Sequence, residues 1–115
     1  RFMFDGQVGV IDFDKHDFEE TGCTFGQADG LVNKALEVEG VRMAVLASER
    51  DDGIKMSLRA VEPDTVNDIA VLFGGGGHAQ AAGCTIHAPL HEALDQVLAA
   101  MKDKLDKTPR PEGRV

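Results

Sequence analysis

Residues 74–84 run Gly-Gly-Gly-Gly-His-Ala-Gln-Ala-Ala-Gly-Cys, and no other stretch limits the fold of this chain as much. Glycine loses the most backbone entropy on folding, so four in a row are expected to interrupt helix and strand alike. They suit a loop whose N–H groups turn inward and form a concavity for an anion. His78 follows at once and adds a side-chain donor at the lip. The first ligand class this suggests is a phosphate-bearing one.

The elements around the loop follow from periodicity. Gln7–Phe13 reads as a strand, followed by a polar, acidic connection to about Gly26. Asp29 is placed to cap a short helix with Leu31, Val32, Ala35 and Leu36 on its apolar side, ended by Gly40. Val41–Glu49 and Ile54–Val61 are β-like runs joined by Arg50-Asp51-Asp52-Gly53, a hairpin signal. Asp64 is the expected N-cap of a helix whose Val66, Ile69, Ala70 and Phe73 share one face, stopped by Gly74. Cys84–His87 is a short strand. Pro89 then opens a last helix with Leu90, Leu94, Val97, Leu98, Met101 and Leu105 on one stripe. Lys102, Lys104 and Lys107 near its end favour the helix dipole. The fold class expected is α/β (α+β), a mixed sheet of about five strands with helices packed on it. Residues 1–107 form one domain on this reading, and 108–115 a disordered tail with two prolines and a glycine.

Alternation along the second hairpin strand puts Ile54, Met56, Leu58 and Ala60 on one face and Lys55, Ser57 and Arg59 on the other. The second set offers two cations and a hydroxyl in a row, and Arg can grip a phosphate through parallel hydrogen bonds. The same pattern would serve the solvated face of a one-sided sheet. No Lys-Ser/Thr follows the glycines, which excludes a P-loop. Gly74, Gly76 and Ala79 do spell G-x-G-x-x-A, but a dinucleotide fingerprint must follow a strand and open a helix, and this one follows a helix. Asp12 and Asp14 have no third ligand to place with them, so no metal site and no catalytic constellation is expected in these residues.

The formal net charge of −8 bears on the partner, because gripping a long nucleic acid takes several Lys/Arg to displace counterions. Acids are spread along the chain and no basic stripe answers them, so a small anion held by local donors fits better than a long duplex. No apolar run is long enough to span a bilayer. Cys23 and Cys84 lack metal-ligand spacing and read as reduced thiols of a cytoplasmic protein. The chain starts at Arg1 and enters apolar sequence at once, as expected of a piece of a longer protein.

Lys55-Met-Ser-Leu-Arg59 followed by Gly74-Gly-Gly-Gly-His78-x-x-Ala-Ala-Gly83 resembles the C-terminal DHH-associated domain of the DHH phosphoesterases, over nearly the whole chain. The branch it is most similar to is the bacterial nanoRNases that also dephosphorylate 3′-phosphoadenosine 5′-phosphate. The resemblance implies that Gly75, Gly76, Gly77 and His78 contact a nucleotide or its phosphate, and that Arg59, with Ser57 beside it, holds a further phosphate. It also implies a partner catalytic DHH domain in the same polypeptide, carrying divalent metal, usually manganese. The Asp-Xaa-Asp and Asp-His-His motifs of that domain are missing here, so no catalytic residue is assigned and the chain is expected to be inactive alone. The substrate implied is a short oligonucleotide or a phosphorylated nucleotide, with a homodimer as a further arrangement and no membrane partner. The alternatives are a free-standing nucleotide-binding module, a structural or dimerisation domain, and the substrate domain of a single-strand exonuclease or cyclic-dinucleotide phosphodiesterase.

Overall fold

The computed structural model describes residues 1–16 and 25–108. In chain order the elements are β1 (Phe2–Met3), β2 (Val8–Phe13), α1 (Phe25–Ala35), β3 (Met43–Arg50), β4 (Gly53–Ala60), α2 (Asn67–Leu72), β5 (Gly76–His78), β6 (Ala81–Ile86) and α3 (Leu90–Lys107). The strands make a single sheet in the order β1-β2-β3-β4-β6-β5. β2 and β3 pair in parallel and the other neighbours antiparallel, so the sheet is mixed, as expected. Parallel neighbours need a crossover, and α1 supplies it.

Period-two patterning decides which helix goes to which face. Val45, Met43, Met56, Leu58, Ala82 and Cys84 join Ile69, Ala70 and the α3 stripe in one buried core. That stripe is Ala93, Leu94, Val97, Leu98, Met101 and Leu105, and each large aliphatic side chain taken from water there contributes about 1.5–3 kcal/mol. On the opposite face Ala44 and Leu46 of β3 pack with Val32 and Ala35 of α1 and with Leu36 just past its end. Register places Arg59 opposite Ala44 and Ser57 opposite Leu46, so these two side chains share the face that α1 covers over β3. α1 covers β2 and β3 there, and the β4–β6–β5 half of that face is left with an open groove.

Several expected boundaries are corrected. The sheet has six strands among the described residues, because β1 and β5 add to those expected and β6 starts at Ala81 rather than Cys84. The glycine run is therefore not all loop, since its second half pairs with β6 as an edge strand. Asp29 lies inside α1 instead of capping it. Asp64 does not cap α2 either, whose N-cap is Val66 with no side-chain cap. Its carboxylate accepts two hydrogen bonds from Arg42, from Nε at 2.9 Å and from Nη2 at 2.6 Å, and both residues are buried. Arg42 also donates to Gln7 Oε1 at 3.2 Å and to the Thr108 carbonyl at 2.5 Å, so Thr108, placed in the expected tail, is tied to the domain. Lys104 does more than favour a dipole, since its Nζ reaches Thr65 Oγ1 at 2.5 Å and Asp68 at 2.6 Å, tying α3 to α2. Burial pushes the Asp68 carboxyl up, but hydrogen bonding and charge from Lys104 outweigh it and hold the group below its ordinary value. Cys23, the acidic connection and the tail beyond Thr108 lie largely or wholly outside the described residues.

Candidate functional site

The glycine run divides its work in two. Gly74 has φ +83° and ends α2. The Gly74 N–H donates to the Val71 carbonyl at 3.0 Å and the Gly75 N–H to the Ala70 carbonyl at 2.8 Å. This is a Schellman cap, in which the two residues after the C-cap Phe73 satisfy carbonyls of the last turn. Two of the four amides expected to face an anion are thus committed to the helix. The part of the expected concavity that remains is built on Gly76, Gly77 and His78, the edge strand β5. An edge strand presents alternate backbone N–H and C=O groups on its unpaired side.

Close packing accounts for two of these glycines. A Cβ at Gly75 would lie 2.1 Å from the Gly83 carbonyl oxygen, and one at Gly77 2.6 Å from Ala82 Cα. Gly76 is different, because a Cβ there would meet nothing within 4 Å and no positive φ demands a glycine. The space above Gly76 belongs to the groove.

Two rows of residues cross the sheet at this place. Ser57 pairs with Gly83, which pairs with Gly76, and Arg59 pairs with Ala81, which pairs with His78. Paired residues on neighbouring strands point to the same face and the strands stand about 4.8 Å apart. His78 therefore sits about 10 Å from Arg59 across the sheet. Ser57, Arg59, Gly75, Gly76 and Gly77 all line one open groove of about 820 Å³, with Gly83 and Gly76 as its bare floor. His78 is exposed at the end of β5 and is not among the lining residues, so it stands at the rim of the site. Ser57 is nearly buried, while Arg59 is half-buried and donates from Nη1 to the Leu58 carbonyl at 2.9 Å, which steadies its guanidinium.

The groove also takes in Lys55, Phe73, Thr85 and His87. Thr85 and His87 are not among the site residues expected from the sequence. Their signal is the alternation from Gly83 through Thr85 to His87, obscured because the Ala-Ala-Gly start of β6 has little strand propensity. Cys84 belongs to the opposite, core-facing set, and burial pushes its thiol above the ordinary value. Thiolate is then scarce at neutral pH, and the site gains no nucleophile from it.

The turn joining β5 to β6 is held from below. Ala60 N–H donates to the Gln80 carbonyl at 3.1 Å, Val66 N–H to the Ala79 carbonyl at 2.8 Å, and Gln80 Nε2 to the Asp64 carbonyl at 3.0 Å. The Arg42–Asp64 pair thus anchors the segment that carries the turn. Among the described residues no three His, Cys, Asp or Glu side chains come together as a metal centre needs. Asp12 is paired with Arg1 at 3.2 Å. No helix among the described residues is long and apolar enough to cross a membrane. What the arrangement offers is a groove with cationic and hydroxyl donors along one strand and exposed backbone at its far edge.

The DHHA1 domain family matches residues 6–107 of this sequence. The chain belongs to that family. The DHHA1 domain is 35% identical over 81 residues to the bifunctional oligoribonuclease and PAP phosphatase NrnA of Thermus thermophilus, covering 70% of this chain and 25% of that protein. It is 32% identical over 88 residues to the protein of the same name from Bacillus subtilis, covering 76% of this chain and 27% of that one. Among solved structures, an exopolyphosphatase-related protein from Bacteroides fragilis superposes with a TM-score of 0.82 at 27% identity, over 93% of this chain and 32% of that one. The DHHA1 domain thus spans about a quarter of the length of the curated relatives it matches.

Proposed function

We propose that this DHHA1 domain is the substrate-binding part of a metal-dependent phosphoesterase that acts on short oligonucleotides or on 3′-phosphoadenosine 5′-phosphate, and that it does not hydrolyse them alone. Arg59 holds a substrate phosphate with Ser57 beside it, and the backbone at Gly76 and Gly77, with His78 at the rim, receives the nucleotide or a second phosphate, while Gly75, its N–H bonded to the Ala70 carbonyl, only lines the groove. The metal ions and the activated water belong to a catalytic DHH domain of the same polypeptide. There the fixed donors of the groove would share the charge that develops on the transferring phosphoryl group. The names of the two curated relatives support both substrates.

The observation that carries this reading is Gly76. It has no steric or conformational reason to be glycine, yet it forms the floor of a groove lined by Arg59 and Ser57. A bare backbone there lets a ligand approach to contact distance.

The test uses the longer polypeptide that carries this chain. Arg59→Ala is expected to lower kcat/KM about tenfold to a hundredfold, the scale of a charge-assisted phosphate contact. Unchanged kinetics on both substrates would remove Arg59 from the site.

A further inference from the structure

Resting on that reading, we infer that the groove holds a second anion subsite at Lys55, Thr85 and His87, and that its ligand is a short nucleic-acid strand laid along β4. Lys55 and Thr85 are register partners, both exposed, and lie on the same face as Arg59 and Ser57. His87 continues the β6 alternation beyond Thr85, and its Nδ1 would lie only 3.0 Å from a Cβ at Gly53. The side chain therefore lies against the start of β4, beside Lys55. All three residues line the groove that also contains Arg59.

Spacing decides between ligands. Lys55 and Arg59 are four residues apart on one strand, about 14 Å at the usual rise. The 5′ and 3′ phosphates of one nucleoside are closer together than that, whereas a strand of several nucleotides spans the interval. Between the two cations lie the bare positions Gly83 and Gly76, in register with Ser57, which leave room for sugar and base.

Lys55 and Arg59 thus act as a short ruler along β4. Beyond Lys55 the strand turns through Asp51 and Asp52, both exposed. Asp51 is paired with Lys15 at 2.6 Å, and that hydrogen bond and charge hold its carboxyl below the ordinary value.

The test is calorimetric titration of the 115-residue chain with adenosine 3′,5′-bisphosphate and with 5′-phosphorylated tetra-adenylate. The tetranucleotide is expected to bind about fivefold more tightly, the scale of one exposed charge contact. Lys55→Ala is expected to erase that difference, and Lys55→Arg to restore it. Equal wild-type affinity for the two ligands, or a preference that survives in Lys55→Ala, would overturn the second subsite. If bisphosphate binding is still lost in Arg59→Ala, the substrate-binding reading stands without it. A wild-type chain that binds neither ligand would overturn both.

Discussion

A methyl group at position 75 would meet the Gly83 carbonyl oxygen at 2.1 Å, and at position 76 it would meet nothing within 4 Å. Adjacent glycines in one motif are thus held by different constraints, the first by packing of the chain on itself and the second by access to the groove. Gly75→Ala is expected to destabilise the domain by about 1–3 kcal/mol, since a backbone oxygen cannot move aside as a flexible side chain would. Gly76→Ala is expected to leave stability within about 0.5 kcal/mol of wild type and to weaken nucleotide binding. Chemical denaturation with nucleotide titration of both variants checks the contrast. A destabilised Gly76→Ala that binds normally would reverse the assignment.

Between elements, the determining contact is the buried Arg42–Asp64 pair. It joins the entry to β3, the segment before α2 and, through Thr108, the end of α3. Its carboxylate is satisfied by two guanidinium nitrogens, Nε and Nη2, so removing one partner leaves an uncompensated buried charge. Arg42→Ala is expected to cost about 3–5 kcal/mol in denaturant unfolding. It should also speed amide exchange across the β5–β6 turn, which hangs on the Asp64 carbonyl through Gln80. A loss below about 1 kcal/mol would mean that the pair is incidental. This contact was not legible in the sequence. Asp64 beside Thr65 and ahead of an apolar run carries the local signature of an N-cap, and nothing local points to an arginine 22 residues earlier. β5 was hidden for a related reason, since Gly76-Gly77-His78 has no strand propensity and is made a strand only by its register on β6. The β3–β4 hairpin, the two faces of β4 and the stripe of α3 were legible, because in each the period of the apolar residues matches the element that buries them. The same alternation puts Ser57 and Arg59 together on one side of the candidate groove, while the division of the glycines between helix cap and groove floor needed the backbone path.

Across the whole molecule, the groove follows from incomplete coverage of the sheet. α2 and α3 pack on one face of the sheet, while α1 packs on β2 and β3 on the other. The remaining strands β4, β6 and β5 present an open groove where Lys55 and Arg59 stand on a chain of net charge −8. Such a surface suits a ligand of few phosphates, because a longer polyanion would meet the surrounding carboxylates. The most direct measurement is an amide NMR titration of the 115-residue chain with adenosine 3′,5′-bisphosphate. Saturable shifts at Gly75–His78, Ser57 and Arg59, with the α2–α3 side unmoved, are the predicted result. Shifts confined to the α2–α3 side, or none at millimolar nucleotide, would contradict the claim that this groove binds phosphate esters.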